Sequence, residues 1–156
     1  MNWDLSSYFP SPDHPDTQTF KQELSKDLAS LLQTAAKLQP LSQANLDEWE
    51  KALLASEDIL RRASHLGSYL GCLTSADAAN EAYRKQEAAF ALLEAEGEKL
   101  DVEFQRGLKG ATDADVAALL SRPALDGCSH YVNRMRQAAQ KTMSPAEEHL
   151  AADLGV

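Results

Sequence analysis

The sequence is poor in cysteine and has no long apolar run, and both absences narrow the class of protein. Cys72 and Cys128 are its only cysteines, and two isolated thiols are typical of a reducing cytoplasm, not of a disulfide framework. A bridge between the two stays open as an alternative. No stretch of about 18 apolar residues occurs, so no membrane span is predicted. The opening Met-Asn-Trp-Asp-Leu lacks the basic and apolar regions of a secretion signal, so we expect a cytoplasmic location without a membrane partner.

Positive charge is also scarce. Fifteen Lys and Arg stand against 24 Asp and Glu, which gives a formal net charge of −9. A surface of this sign repels phosphate backbones, so nucleic acid is not an expected partner. The stretch 104–144 is the exception, with six basic and three acidic residues. It could face an acidic part of the same chain or bind a carboxylate-bearing ligand, and we expect the first because mixed surfaces are normal.

The motifs of several common enzyme classes are missing. There is no H-E-x-x-H, no G-x-G-x-x-G, no P-loop and no Cys-x-x-Cys. No two of the four histidines lie four residues apart, so no helix presents two of them on one face to a metal. His149 and Asp153 are four apart and could give two ligands, but a third is not visible, and a solvated pair is favoured.

The remaining candidates for chemistry also have simpler explanations. Cys128 and His130 are two residues apart, which puts them on different sides of a helix, and a nucleophile dyad needs a third, orienting group. We expect Cys128 to fill core space and His130 to be partly exposed. His65 lies beside an apolar helix stripe as an interface residue, and His14 lies in a solvated loop. The sequence therefore predicts no catalytic, cofactor-binding or metal-binding residue.

Helical periodicity is the strongest signal that is present. Two long runs, 46–73 and 76–108, are predicted to form an antiparallel hairpin with its turn at Thr74 and Ser75. The apolar face of the first run consists of Leu46, Trp49, Leu53, Leu60, Ala63, Leu66, Leu70 and Leu73. The face of the second run follows alternating steps of four and three residues and consists of Ala79, Tyr83, Gln86, Phe90, Leu93, Gly97, Leu100, Phe104 and Leu108.

Caps and charges agree with these helices. Asn45 is predicted to cap the first run with Glu48 as its return partner. Thr74 or Ser75 is predicted to cap the second run, with Asp77 in its first turn. Pairs four residues apart are expected on the outer face of the first run, namely Asp47 with Lys51, Glu57 with Arg61 and Asp58 with Arg62.

Shorter segments flank the hairpin within one domain, 1–156. Residues 1–16 are predicted to be an extended strap, because Pro10, Pro12 and Pro15 prevent a continuous helix while its aromatic side chains dock on the helices. Asp16 or Thr17 is predicted to open a helix over 17–39. Short helices follow over 113–141, with Thr112 or Asp113 as a cap. Residues 144–156 resemble the start of a helix that we expect to continue beyond the sequence. The predicted fold is an all-α helical bundle.

Three glycines lie inside the predicted long helices. Gly67, Gly71 and Gly97 each cost about 1 kcal/mol of helix propensity relative to Ala. Close backbone packing is the expected reason, and a groove approached by another chain is the alternative.

Both ends of the sequence resemble one family. The run from Trp3 to Phe9, Trp-Asp-Leu-Ser-Ser-Tyr-Phe, followed by Pro and Asp and then a helix, resembles the start of oligoendopeptidase F proteins. The run from Met143 to Glu148, followed by Leu150, is similar to the Leu-Ser-x-x-Glu-Glu helix start that ends their N-terminal region. The hairpin fits between them in position and length, so the resemblance covers essentially the whole chain.

The resemblance implies a function for a longer polypeptide. The family consists of mostly helical zinc metallopeptidases related to thimet oligopeptidase, which cut short peptides inside a closed channel. Their zinc ligands and catalytic glutamate belong to an H-E-x-x-H helix downstream of the matched region, so no such role transfers to any residue here. By implication the chain is a non-catalytic N-terminal domain that walls the channel. Its partners would be the catalytic domain and, through that enzyme, short peptides, and zinc would be bound only by the parent enzyme.

A second interpretation needs no parent enzyme. The apolar stripe and the glycines are also compatible with a stand-alone interaction module, or with a homodimer formed along the hairpin. The oligomeric state separates this interpretation from the first.

Overall fold

The computed structural model describes residues 4–141, and within that range the chain is all-α without a β-strand. The fold class predicted from the sequence is therefore confirmed. The helices are α1 (Pro15–Lys37), α2 (Leu46–Ala76), α3 (Glu81–Leu108), α4 (Asp113–Leu120) and α5 (Ser129–Lys141), with a 3₁₀ turn at Pro123–Leu125. The predicted helix over 144–156 lies outside the described residues.

Helices α2 and α3 form an antiparallel pair. Trp49, near the start of α2, contacts Gly107 near the end of α3, whereas Gly67 farther along α2 contacts Phe90 earlier in α3. The order of contacts thus reverses from one helix to the other. Helix α1 lies against both, as expected for a three-helix core.

The direction of α1 follows from its polar contacts. Asp27 binds Arg62 of α2 at 2.8 Å, and Lys21 donates to the Gln86 side chain of α3 at 2.7 Å. Near its end, the carbonyls of residues 35 and 36 accept from Arg106 of α3. Helix α1 therefore runs antiparallel to α2 and parallel to α3, in an up-down-up arrangement.

The turn of the hairpin lies later than predicted. Helix α2 continues to Ala76 and residues 77–80 form the link. Thr74 remains helical because its hydroxyl donates to the Leu70 carbonyl, so it does not serve as a cap. Asn80 takes that role, since its Oδ1 accepts from the backbone N–H groups of Ala82 and Tyr83. Asp77, predicted in the first turn of the second helix, is instead the C-cap of the first.

The start of α2 also differs from the prediction. Asn45 stands at the N-cap position, but its side chain makes no cap hydrogen bond. Its Oδ1 accepts from Ser42 N–H, and its Nδ2 donates to the carbonyls of Gln39 and Pro40. The side chain thus orders the α1–α2 link, and the predicted capping box with Glu48 does not form.

The predicted apolar stripes are largely buried, with one misplaced residue. The end of the α3 stripe, Leu100, Phe104 and Leu108, is fully inside the bundle. On α2 the expected core residue Leu60 is 52% exposed, and Ile59 is buried in its place. The α2 core face therefore drifts around the helix, because 3.6 residues per turn do not divide evenly into steps of three and four.

The N-terminal segment is held by Phe9. This ring is 7% exposed and makes edge contacts with Phe20 of α1 and with Tyr69 of α2. Helix α1 begins at Pro15, two residues before the predicted start. His14 caps it, with Nδ1 accepting from the Asp16 N–H at 3.3 Å. Thr17, expected as a possible cap, is buried, and its hydroxyl donates to the carbonyl of residue 11.

The C-terminal part packs on the outside of the three-helix core. Thr112 and Asp115 form a reciprocal capping box at the start of α4, as the sequence predicts for Thr112. Arg122 binds Asp47 and Glu50 at the beginning of α2. The basic stretch therefore does face an acidic part of the same chain at this point.

The helix glycines divide into two kinds. A Cβ on Gly67 would lie 2.8 Å from the Phe90 ring, and one on Gly107 would lie 2.5 Å from the Trp49 ring. Gly71 and Gly97 have nothing within 4 Å of that position, so close packing does not explain them. Gly107, which the sequence did not single out, is the tightest of the four.

Candidate functional site

The largest concave feature of the described residues is an open groove between α1 and α2, with a volume of about 750 Å³. We call it the α1–α2 groove. Its apolar lining comes from the core-facing edges of the two helices, namely Leu31, Leu38, Ala52, Ala55 and Ile59. Its uncharged polar lining comes from α1, namely Ser30, Gln33 and Thr34. A volume of this size is in the range of about 300–1,000 Å³ found for small-molecule sites.

One end of the groove, which we call the acidic end, consists of Asp27, Asp58 and Arg62. Arg62 lies 2.8 Å from Asp27 Oδ2 and its Nε lies 2.7 Å from Asp58 Oδ2. Only 19% of its side chain is exposed, so this guanidinium is neutralised within the protein. The other oxygen of Asp58 contacts Arg61, whereas Asp27 Oδ1 has no hydrogen-bond or ion-pair partner among residues 4–141.

The opposite end, which we call the basic end, consists of Lys37, Glu48 and Lys51. Neither lysine forms an ion pair with any residue of the described range 4–141. The sequence predicted that Lys51 would pair with Asp47. That prediction is wrong, because Asp47 is bound by Arg122 at 2.5 Å.

The other predicted pairs of α2 have mixed outcomes. Arg62 does contact Asp58, as expected. Arg61 contacts the same Asp58, three residues away, and not Glu57 as predicted. Asp58 therefore joins both arginines at the acidic end.

The sequence did not single out Asp27 or Lys37. Both follow the core stripe of α1 at helical spacing, together with Ser30 and Thr34, so they share one flank of the helix. This flank could have been found as a polar face next to an apolar one. Its partner face on α2 could not, because the register between two helices is not written in either helix alone.

The candidate histidines and cysteines do not come together. His14 is the α1 cap, and His65 stacks on Tyr8 with ring centroids 4.8 Å apart. His130 is exposed on α5. Cys72 and Cys128 are both free thiols. No group of three His, Cys, Asp or Glu side chains within 4–141 could hold a metal ion, and His149 and Asp153 lie outside that range.

Two groups have perturbed acidity for structural reasons. Burial and the nearby Asp101 carboxylate, which accepts a 3.0 Å hydrogen bond from the phenol, raise the pKa of Tyr131 to about 12. Burial, followed by the charges of Glu57 and Asp126, raises the pKa of the Cys128 thiol. Both groups are therefore protonated at neutral pH and are poor nucleophiles or bases.

A second, smaller groove of about 260 Å³ lies between α1 and α3. Its lining is mostly apolar and consists of Ser25, Leu28, Ala29, Leu32, Ala89, Leu92, Leu93 and Glu96. Leu92 is 72% exposed at its edge. No α-helix within residues 4–141 is both long and apolar enough to cross a lipid bilayer.

Comparison with protein-family models, with curated proteins and with solved structures finds no match for this chain. The geometry of the two grooves and the sequence resemblance are therefore the basis for a functional proposal.

Proposed function

We propose that this chain is a non-catalytic helical domain that walls the peptide channel of an oligoendopeptidase F-like zinc metallopeptidase in the cytoplasm. The observation that carries the proposal is the α1–α2 groove, which is open along its length and lined by both charges over an apolar floor. A surface of this composition can hold the backbone and the side chains of many peptides without selecting one sequence. The sequence resemblance at the two ends of the chain supplies the enzyme context.

The wall is built to keep its shape. Arg62 joins α1 to α2, and Arg106 of α3 donates to the carbonyls at the end of α1. Trp49 fills the space between α2 and α3 and is fully buried. A rigid wall limits access to a channel by sterics, since it does not open to admit a folded chain.

Zinc and the catalytic groups would be supplied by the rest of the parent enzyme. The described residues do not fit a zinc site, because no three suitable ligands converge within 4–141. No step of peptide hydrolysis is therefore assigned to this chain. Its partners in the proposal are the catalytic domain of the parent and the short peptides that enter the channel.

The coding sequence beyond Val156 tests this proposal directly. We expect an uninterrupted reading frame with an H-E-x-x-H motif, and a native stop codon immediately after Val156 would overturn the proposal. Hydrolysis is a second measurement: the purified chain is expected to leave a nine-residue quenched-fluorescence peptide intact, in the presence or absence of added zinc. Cleavage by the chain alone would contradict the non-catalytic role.

A stand-alone interaction module or homodimer is the second candidate. Leu92 at the edge of the α1–α3 groove favours it, because a large exposed leucine beside an apolar groove is typical of a contact surface. Contact along the hairpin stripe is not available, since Leu100 and Phe104 are buried within the chain.

Light scattering at rising protein concentration separates the two candidates. A dimer abolished by Leu92→Glu, but not by Val102→Glu, would support the second. Val102 is a matched control because it is also exposed on α3 and does not line the groove. A strict monomer at high concentration would exclude dimerisation.

A further inference from the structure

The two ends of the α1–α2 groove carry opposite net charge. Among the lining residues the acidic end, with two aspartates and one arginine, has a net charge of −1. The basic end, with two lysines and one glutamate, has a net charge of +1. Asp27 and Lys37 are ten residues apart on α1, which places the two ends roughly 15 Å apart at ~1.5 Å per residue.

We propose that this groove binds a short, extended peptide with free termini, oriented with its carboxylate at Lys37 and Lys51 and its ammonium at Asp27. This inference rests on the proposed function and deepens it, because it names the part of the wall that holds a peptide and the direction in which the peptide runs.

The basic end is suited to a terminal carboxylate. Lys37 and Lys51 come from different helices and face the same end of the groove. Neither has an ion-pair partner among residues 4–141, since Arg122 takes the Asp47 carboxylate that helix spacing would have offered to Lys51. A carboxylate held between two ammonium groups forms charge-assisted hydrogen bonds, which are stronger than neutral ones. Glu48 lowers the net charge of this end, so it would disfavour a ligand with several negative charges.

The acidic end is suited to a single terminal ammonium. Arg62 occupies Oδ2 of Asp27 and Oδ2 of Asp58, and Arg61 occupies the second oxygen of Asp58. Asp27 Oδ1 is left to accept from a ligand. Because the arginine is already neutralised, this end is not a competing site for the carboxylate, and the direction of binding is determined.

The span between the ends sets the length of the ligand. An extended chain rises about 3.3 Å per residue, so roughly 15 Å corresponds to four or five residues. Between the ends, Leu31 and Ile59 offer apolar contact and Gln33 offers an amide for backbone hydrogen bonds. The ligand class is therefore a tetra- or pentapeptide without strong side-chain selection.

Isothermal titration calorimetry with the pentapeptide Ala-Ser-Ala-Ser-Ala tests the assignment. We expect the form with free termini to bind, and the C-terminal amide to bind about tenfold more weakly or worse, the effect of losing one charge-assisted contact. The Lys37→Gln/Lys51→Gln variant is expected to bind the free peptide as weakly as the native protein binds the amide, and to make no distinction between the two. Lys26→Gln is the control, since Lys26 is an exposed lysine of α1 outside the groove and should change nothing.

Several results would overturn the assignment. These are no heat of binding at millimolar peptide, an equal effect of amidation on the native and the double-variant proteins, or unchanged affinity after N-acetylation. Self-association that disappears in the double variant would assign the groove to a second copy of the chain instead. Should the double variant lose its helical circular dichroism, the native protein with the three peptide forms still decides the question.

The outcome is independent of the test of the proposed function. Peptide binding with a stop codon after Val156 would retain the groove and reject the parent enzyme. An H-E-x-x-H motif downstream without peptide binding would retain the parent enzyme and reject this site.

Discussion

Substitution of Gly107 by alanine is the sharpest test of how the bundle is packed. A Cβ at this position would lie 2.5 Å from Cζ2 and 2.7 Å from Cη2 of the Trp49 ring. Trp49 cannot move away easily, because it is fully buried and its Nε1 donates to the Gln39 carbonyl at 3.0 Å. The same Gly107 accepts a backbone hydrogen bond from Leu41 through its carbonyl. The tryptophan, the link after α1 and the end of α3 are therefore joined at one point.

The magnitude follows from three opposing effects. Alanine gains about 1 kcal/mol over glycine in helix propensity. Overpacking of a buried site costs about 1–3 kcal/mol, and a lost or distorted hydrogen bond costs about 1 kcal/mol more. Gly107→Ala is therefore expected to lower the free energy of unfolding by about 1–3 kcal/mol, or the melting temperature by several degrees at this chain length.

Gly97→Ala is the matched control in the same helix. Nothing lies within 4 Å of its Cβ position, so only the propensity gain of about 1 kcal/mol remains. Urea unfolding followed by circular dichroism measures both variants. Equal or higher stability of Gly107→Ala would refute the packing argument. In a Trp49→Phe background the cost of Gly107→Ala should shrink, because the ring atoms that meet the new methyl group are absent.

Three further outcomes are expected. Phe9→Ala should lower the free energy of unfolding in urea by about 3 kcal/mol through lost core packing, whereas Tyr8→Ala, at a side chain that is 43% exposed, should cost much less; equal costs would contradict Phe9 as the anchor. Tyr131 has a pKa raised from 10.0 to about 12, so its contribution to stability is complete below about pH 10 and is lost as the pH rises through 12; Tyr131→Phe should reduce this loss in alkaline unfolding, and an unchanged profile would count against it. The hydrogen bonds from Thr112 to the side chain of Asp115 lower the pKa of that carboxyl, so its stabilising effect is present above about pH 4 and fades as the pH falls further; Asp115→Asn should flatten this part of the acid unfolding curve, and a curve as steep as the native one would refute the capping box.

The sequence by itself determined the helical class and most of the buried faces. The spacing of Leu100, Phe104 and Leu108 predicts one buried stripe, and that stripe is in the core. The Thr112 cap was also readable, since a capping box depends only on residues three apart. Such features are local: helix geometry alone brings residues three or four apart to the same face.

Only the tertiary structure decided which local signals were used. Lys51 has Asp47 at the right spacing, but Arg122, distant in sequence, takes that carboxylate and leaves the lysine at the basic end of the groove. Gly107 looks like any helix glycine until Trp49 is seen against it. The physical reason is the same in both cases. The register and rotation of one helix against another arise from the packing of the whole core, and no short stretch of sequence contains that information.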